Sequence, residues 1–145
     1  MKYTEPMEVF EVLDLFTEAK SRKDKIEVLK KYGQNMPVRD VLQGTFDPSI
    51  EWNLPDGTPP YTPNNEDTAP SSLRRQHLDF KYFVKGLLES NRLNPIKRER
   101  MFIDMLESVH PEDAKIIVSM INKKAPVKGL TKKIVQEVYP NLIPD

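Results

Sequence analysis

The chain has 145 residues, no cysteine, two histidines and a formal net charge of zero. That length suits one domain and leaves little room for two. Without cysteine there is no disulfide framework, thiolate metal site or cysteine nucleophile, which fits a reducing, cytoplasmic setting. No apolar run approaches the roughly 20 residues of a membrane span, so no membrane partner is expected. The opening Met1 to Pro6 lacks the charged-then-apolar pattern of a signal peptide. The zero net charge conceals segregation. Residues 1–19 hold five acids and one lysine, and residues 46–70 hold five acids and no base, so the remainder carries +9. A neutral chain with separated charge can present a basic face.

In chain order, residues 5–19 read as a helix. Val9, Val12, Leu13 and Phe16 recur at helical spacing among acids, with Thr4 as a cap and Pro6 tolerable in the first turn. Ser21 to Tyr32 forms a second helix from a capping-box-like Ser21-Arg22-Lys23-Asp24, with Ile26 and Leu29 inward and Gly33 as a left-handed stop. A short third helix runs from Pro37 through Val38, Val41 and Leu42 and ends at Gly44. Six prolines between residues 46 and 70 then exclude a regular element and leave a long, acidic, irregular excursion. Trp52, beside Ile50 and Leu54, either docks back as a short extended segment that seals the core or stands out as an anchor for a partner.

From Ser72 a fourth helix is expected. Phe80, Phe83, Val84, Leu87 and Leu88 follow i, i+3, i+4, i+7, i+8 and are assigned to the core. Asn94-Pro95 opens a fifth helix carrying Met101, Phe102, Met105, Leu106 and Val109. His110-Pro111-Glu112-Asp113 opens a sixth, its acids matched to the helix dipole. Thr131 caps a last short helix with Ile134, Val135 and Val138, stopped by Pro140. The expected fold is all-α, a compact domain over 1–145 of six or seven helices with one long Pro-rich loop.

No catalytic constellation is legible. His77 and His110 lack partners at metal-ligand spacing and read as a packing residue and a helix cap. No glycine-rich phosphate loop occurs, and Asp56-Gly57 is a turn signal. A non-enzymatic chain without metal or cofactor is expected. The remaining signal is basic. Ala114 to Gln136 contains no acid but six lysines, five of them (Lys123, Lys124, Lys128, Lys132 and Lys133) around the start of the last helix. Lysines beside a helix N-terminus suit phosphate, because free N–H groups and the side chains both attract anions. Arg22, Lys23 and Lys25 form a second cluster, and Lys97, Arg98 and Arg100 a third.

The order of these pieces resembles the N-terminal helical DNA-binding domain of ATP-dependent DNA ligases, closest to the short ligases of T-even-type tailed phages. The resemblance is carried by the capped basic helix Ser21 to Tyr32, the turn Thr45-Phe46-Asp47-Pro48, the paired helices from Met101 to Ile121, and the tail from Lys128 to Pro140. It implies a phage protein that grips duplex DNA through its backbone, with Lys128, Gly129, Thr131, Lys132 and Lys133 approaching phosphates. The chain departs from that pattern in two places. It has no Lys-x-Asp-Gly adenylation tetrad, and Ala125-Pro126 stands near where the family has a cysteine-glycine step. A protein-interaction module acting on host or phage replication or transcription machinery, anchored through Trp52, is the alternative. A virion structural role is a weaker one.

Overall fold

The computed structural model describes residues 7–65 and 69–144. Among the described residues there are eight α-helices and one 3-10 helix, and the only strand-like pairing is a single antiparallel bridge between Trp52 and Val84. The all-helical expectation holds. Six of the helices are seven residues or longer, and two are single turns.

Helix α1 (Val9–Glu18) buries Val9, Val12, Leu13 and Phe16, the stripe its spacing predicts. Glu8 and Glu11 close its start as a reciprocal capping box. The expected cap Thr4 and first-turn Pro6 lie outside the described residues. Helix α2 (Arg22–Tyr32) is capped by Ser21, whose hydroxyl accepts the Asp24 N–H at 3.1 Å, and packs along α1. Gly33 is not the left-handed stop its residue type suggests, since its φ is −87°. The reason for glycine there is steric: the Tyr139 hydroxyl donates to the Gly33 carbonyl, and a Cβ would overlap that hydroxyl.

Helix α3 (Met36–Phe46) starts at the Asn35 cap and runs through Gly44 rather than ending there. Gly44 makes room for neighbours, as a Cβ would stand 2.6 Å from Trp52 and 2.8 Å from the Met120 sulfur. The irregular segment that follows is stitched down. The Asn122 amide bonds the Gly57 N–H and carbonyl, and Glu107 accepts the Thr62 N–H through its carboxylate and the Asn64 amide through its carbonyl.

The expected fourth helix is broken. A single turn α4 (Leu73–Gln76) passes into the 3-10 helix His77–Phe83, and Val84 then turns extended to pair with Trp52. Phe80 and Phe83 are core, but Leu87 and Leu88 are 41% and 60% exposed. The i, i+3 spacing that suits a 3-10 turn holds through Phe83, and Gly86 at φ +93° then ends the pattern. Helix α5 (Leu88–Asn91) is one turn, and α6 (Pro95–Ser108) and α7 (Pro111–Ile121) follow. Phe102 meets Phe83 edge-on at 5.3 Å. Helix α8 (Lys132–Val138) closes the core with Ile134 and Val135, followed by Tyr139 and Ile143. One contiguous core runs from Met7 to Ile143.

Candidate nucleic-acid interface

The basic residues divide into those the fold uses and those it leaves outward. Lys123 belongs to the fold. Its ammonium donates to the carbonyls of Gly44 at 2.8 Å, Asp47 at 2.7 Å and Ile50 at 3.0 Å, so it caps the C-terminal end of α3. Desolvation lowers its pKa, against the favourable charge of Asp47. Lys25 does the same for α1, donating to the carbonyls of Phe16 at 2.9 Å and Thr17 at 3.3 Å. Arg22 lies flat against Glu137 in a two-bonded pair at 3.1 and 2.6 Å, which ties α2 to α8. Its hydrogen bond holds the Glu137 carboxyl below the usual carboxylate range. Arg98, assigned to the third basic cluster, is 7% exposed and donates to Asn53, Ser90 and Leu93 carbonyls. These four cations hydrogen-bond the chain's own oxygens.

The rest point outward. Lys23, Lys124, Lys128 and Lys133 are exposed and Lys132 half-buried, and among the described residues none of the five amines donates to an acceptor. Helix α8 packs on α2. Gly129, at φ +89°, sets the turn before α8 against the start of α2, where a Cβ would meet only Lys25, at 3.9 Å. Thr131 caps α8 by accepting the Ile134 N–H at 3.2 Å, as its residue type predicts. Lys128, Lys132 and Lys133 thus lie on the turn into α8 and its first turn, and α8 packs on α2, the helix that carries Lys23.

Trp52 takes the docked alternative. Its indole N–H donates to the Gly44 carbonyl at 3.0 Å and its ring meets Phe80 edge-on at 6.1 Å, so it is no exposed anchor. His110 is the cap of α7, accepting the Glu112 N–H at 3.0 Å. His77 is buried and paired with Asp40 at 2.6 Å, an arrangement 37 residues of separation hid from the sequence. No group of three or more metal-ligating side chains occurs among the described residues. No helix among them is long and apolar enough to cross a membrane.

A family model matches residues 12–126. The chain belongs to DUF6433, a family of unknown function. No curated protein matches it. The DUF6433 match spans α2 to α7 and stops before Lys128, so the outward lysines of the α8 turn lie just beyond it.

Sequence reasoning missed the internal work of Lys123, Lys25 and Arg98. Nothing local marks a lysine that will cap a helix 79 residues away.

Proposed function

We propose that this chain binds the phosphate backbone of duplex DNA without sequence preference, as a non-catalytic phage accessory protein in the host cytoplasm. The observation that carries the reading is the set Lys23, Lys128, Lys132 and Lys133, four outward cations on the packed α2 and α8 region without an internal acceptor among the described residues. Helix α8 has only seven residues. The lysines themselves, rather than its dipole, therefore supply the attraction. The resemblance to the ligase DNA-binding domain supports the part of this set at Lys128, Lys132 and Lys133.

The test is duplex binding measured against salt. Each phosphate contact contributes about 0.9 to the slope of log affinity against log salt. The triple variant Lys128→Gln, Lys132→Gln, Lys133→Gln should flatten that slope by roughly 2–3 and leave the fold intact. Failure of the unmodified chain to bind duplex at about 0.05 M salt sinks the reading.

The second reading is a protein-interaction module acting on replication or transcription machinery. It is favoured by Leu87, Leu88 and Ile96, which stand 41%, 60% and 76% exposed. The buried Arg98 fixes the turn that presents them, drawing the carbonyls of Ser90 and Leu93 onto α6. Exposed apolar groups on a rigid support suit a protein partner. On this reading duplex binding is absent, and Leu88→Ser with Ile96→Ser abolishes capture of the partner while the melting curve stays unchanged.

A further inference from the structure

A cavity of about 290 Å3 lies between the Pro-rich segment and helices α6 and α7. Phe102 and Ile103 of α6 and Ile121 of α7 give it an apolar floor, and residues 54–60 supply the other wall. The lining falls inside the family match, unlike the lysines of the α8 turn. The loop wall is pinned from both sides. Asn122, just after α7, donates to the Gly57 carbonyl at 3.0 Å and accepts the Gly57 N–H at 2.7 Å. Glu107 of α6 accepts the Thr62 N–H at 2.7 Å through its carboxylate. Between these anchors Pro59 and Pro60 fix φ and donate no N–H, and Gly57 turns the chain at φ +91°. The segment is therefore held off the helices, and the cavity is preformed.

An apolar cavity held open forgoes the contacts its lining would gain by closing. An apolar cavity with a few polar groups is the usual form of a small-molecule site, and this one stands at the small end of the roughly 300–1,000 Å3 such sites occupy. Its charge has one sign. Asp56 and Glu99 are the charged residues of the lining, and both are exposed carboxylates without an ion pair among the described residues. The whole excursion, residues 46–70, holds five acids and no base. One sign of charge beside low-dielectric walls focuses the field and draws in the opposite sign. The DNA reading gives this acidic segment no role, since it repels phosphate.

We propose that this cavity binds a small organic cation, a protonated amine carried on an aromatic or branched aliphatic body. The body lies on Phe102, Ile103 and Ile121, and the ammonium stays at the solvent side with Asp56 and Glu99. An anion meets two like charges there, and a neutral body gains the apolar floor alone. A cation without an apolar body gains the carboxylates alone. The volume holds one compact body, which favours a free molecule over a peptide strand.

Benzylammonium titrated at constant ionic strength into the full, isotope-labelled chain tests the proposal. The amides of Gly57 and Thr58 and the methyl groups of Ile103 and Ile121 should shift together and saturate. Benzyl alcohol, the same body without the charge, should bind roughly three- to tenfold more weakly, the worth of two exposed charge pairs. Benzoate should bind more weakly still. Asp56→Asn with Glu99→Gln should bring benzylammonium down to the affinity of benzyl alcohol and leave benzyl alcohol unchanged, with the melting temperature preserved because both carboxylates are exposed. Ile103→Trp should fill the cavity and remove binding of both probes. Should that variant fail to fold, the double carboxylate variant decides. The lysine triple variant should bind benzylammonium as the unmodified chain does, which separates this site from the DNA-backbone reading. Absence of saturable shifts at about 20 mM benzylammonium overturns the proposal, since millimolar affinity is already weak. So does benzyl alcohol or benzoate binding as tightly as benzylammonium, or unchanged affinity in the double carboxylate variant. Uptake of trilysine without uptake of benzylammonium also overturns it and assigns the carboxylates to a basic peptide.

Discussion

Lys123 donates to three carbonyls at the end of α3 while holding a φ of +58°, a conformation unusual for a side chain of its size. Replacing it by methionine keeps the stem and removes the ammonium. The cost should be about 1–3 kcal/mol in urea denaturation, against less than about 0.5 kcal/mol for Lys128→Met. Equal costs would mean that Lys123 is not a structural cap. Asp113 offers a second residue-scale test. The sequence reads it as an acid matched to a helix N-terminus, and it is fully buried there. One oxygen accepts the Phe10 N–H at 2.8 Å and the other has no partner. Burial, with the nearby charges of Glu8 and Glu11, pushes its carboxyl up to about 8. The folded chain therefore binds a proton that the unfolded chain has released. Stability from this group is fully present near pH 4, falls as pH rises, and levels off above about 8. The fall is at most about 1.4 kcal/mol per pH unit, the limit for one proton. Asp113→Asn keeps the acceptor for Phe10 and should flatten the stability profile between about pH 4 and 8. An unchanged profile would place the titrating group elsewhere.

At the scale of elements, what the sequence reveals follows the range of the cause. Capped helices whose apolar stripe faces one neighbour were legible: Ser21, Asn94 and Thr131 all accept the N–H three residues on. The run from Phe80 to Leu88 was half legible. Its spacing satisfies a 3-10 turn as well as an α-helix up to Phe83, and the bridge from Val84 to Trp52 redirects the chain afterwards. That bridge needs Trp52 to fold back over Gly44, a long-range event without local signature. Phe83→Ala should accordingly cost roughly 3–5 kcal/mol, because Phe83 is buried against Phe102. Leu88→Ser should change stability by less than about 0.5 kcal/mol. A uniform α-helix through this stretch would make both costly, so paired urea melts decide between the two arrangements. In the candidate interface the outward lysines were legible as a run without acids. Which of them the fold consumes was not, because Gly44, Asp47 and Glu137 reach their partners only through tertiary packing.

At the scale of the molecule, the basic tail and the core are one object. The family match ends at residue 126, yet Leu130, Ile134, Val135, Tyr139 and Ile143 are all buried in the core beyond it. Burying each large apolar side chain is worth about 1.5–3 kcal/mol. Five of them amount to roughly 7–15 kcal/mol, comparable to the whole stability of a domain this size, about 5–15 kcal/mol. Truncation would also remove Tyr139 from Gly33 and Glu137 from Arg22, freeing α2 on both counts. A chain cut after residue 126 should therefore lose its cooperative thermal transition, although it keeps every residue of the family match. The lysine set cannot be tested by deletion for the same reason, since loss of binding would follow from loss of the fold. Charge-removing substitutions at Lys128, Lys132 and Lys133 avoid this, because these side chains make no contact the core depends on. A truncated chain that still melts cooperatively, within a few degrees of the full one, would show that the tail rests on a complete domain rather than finishing it.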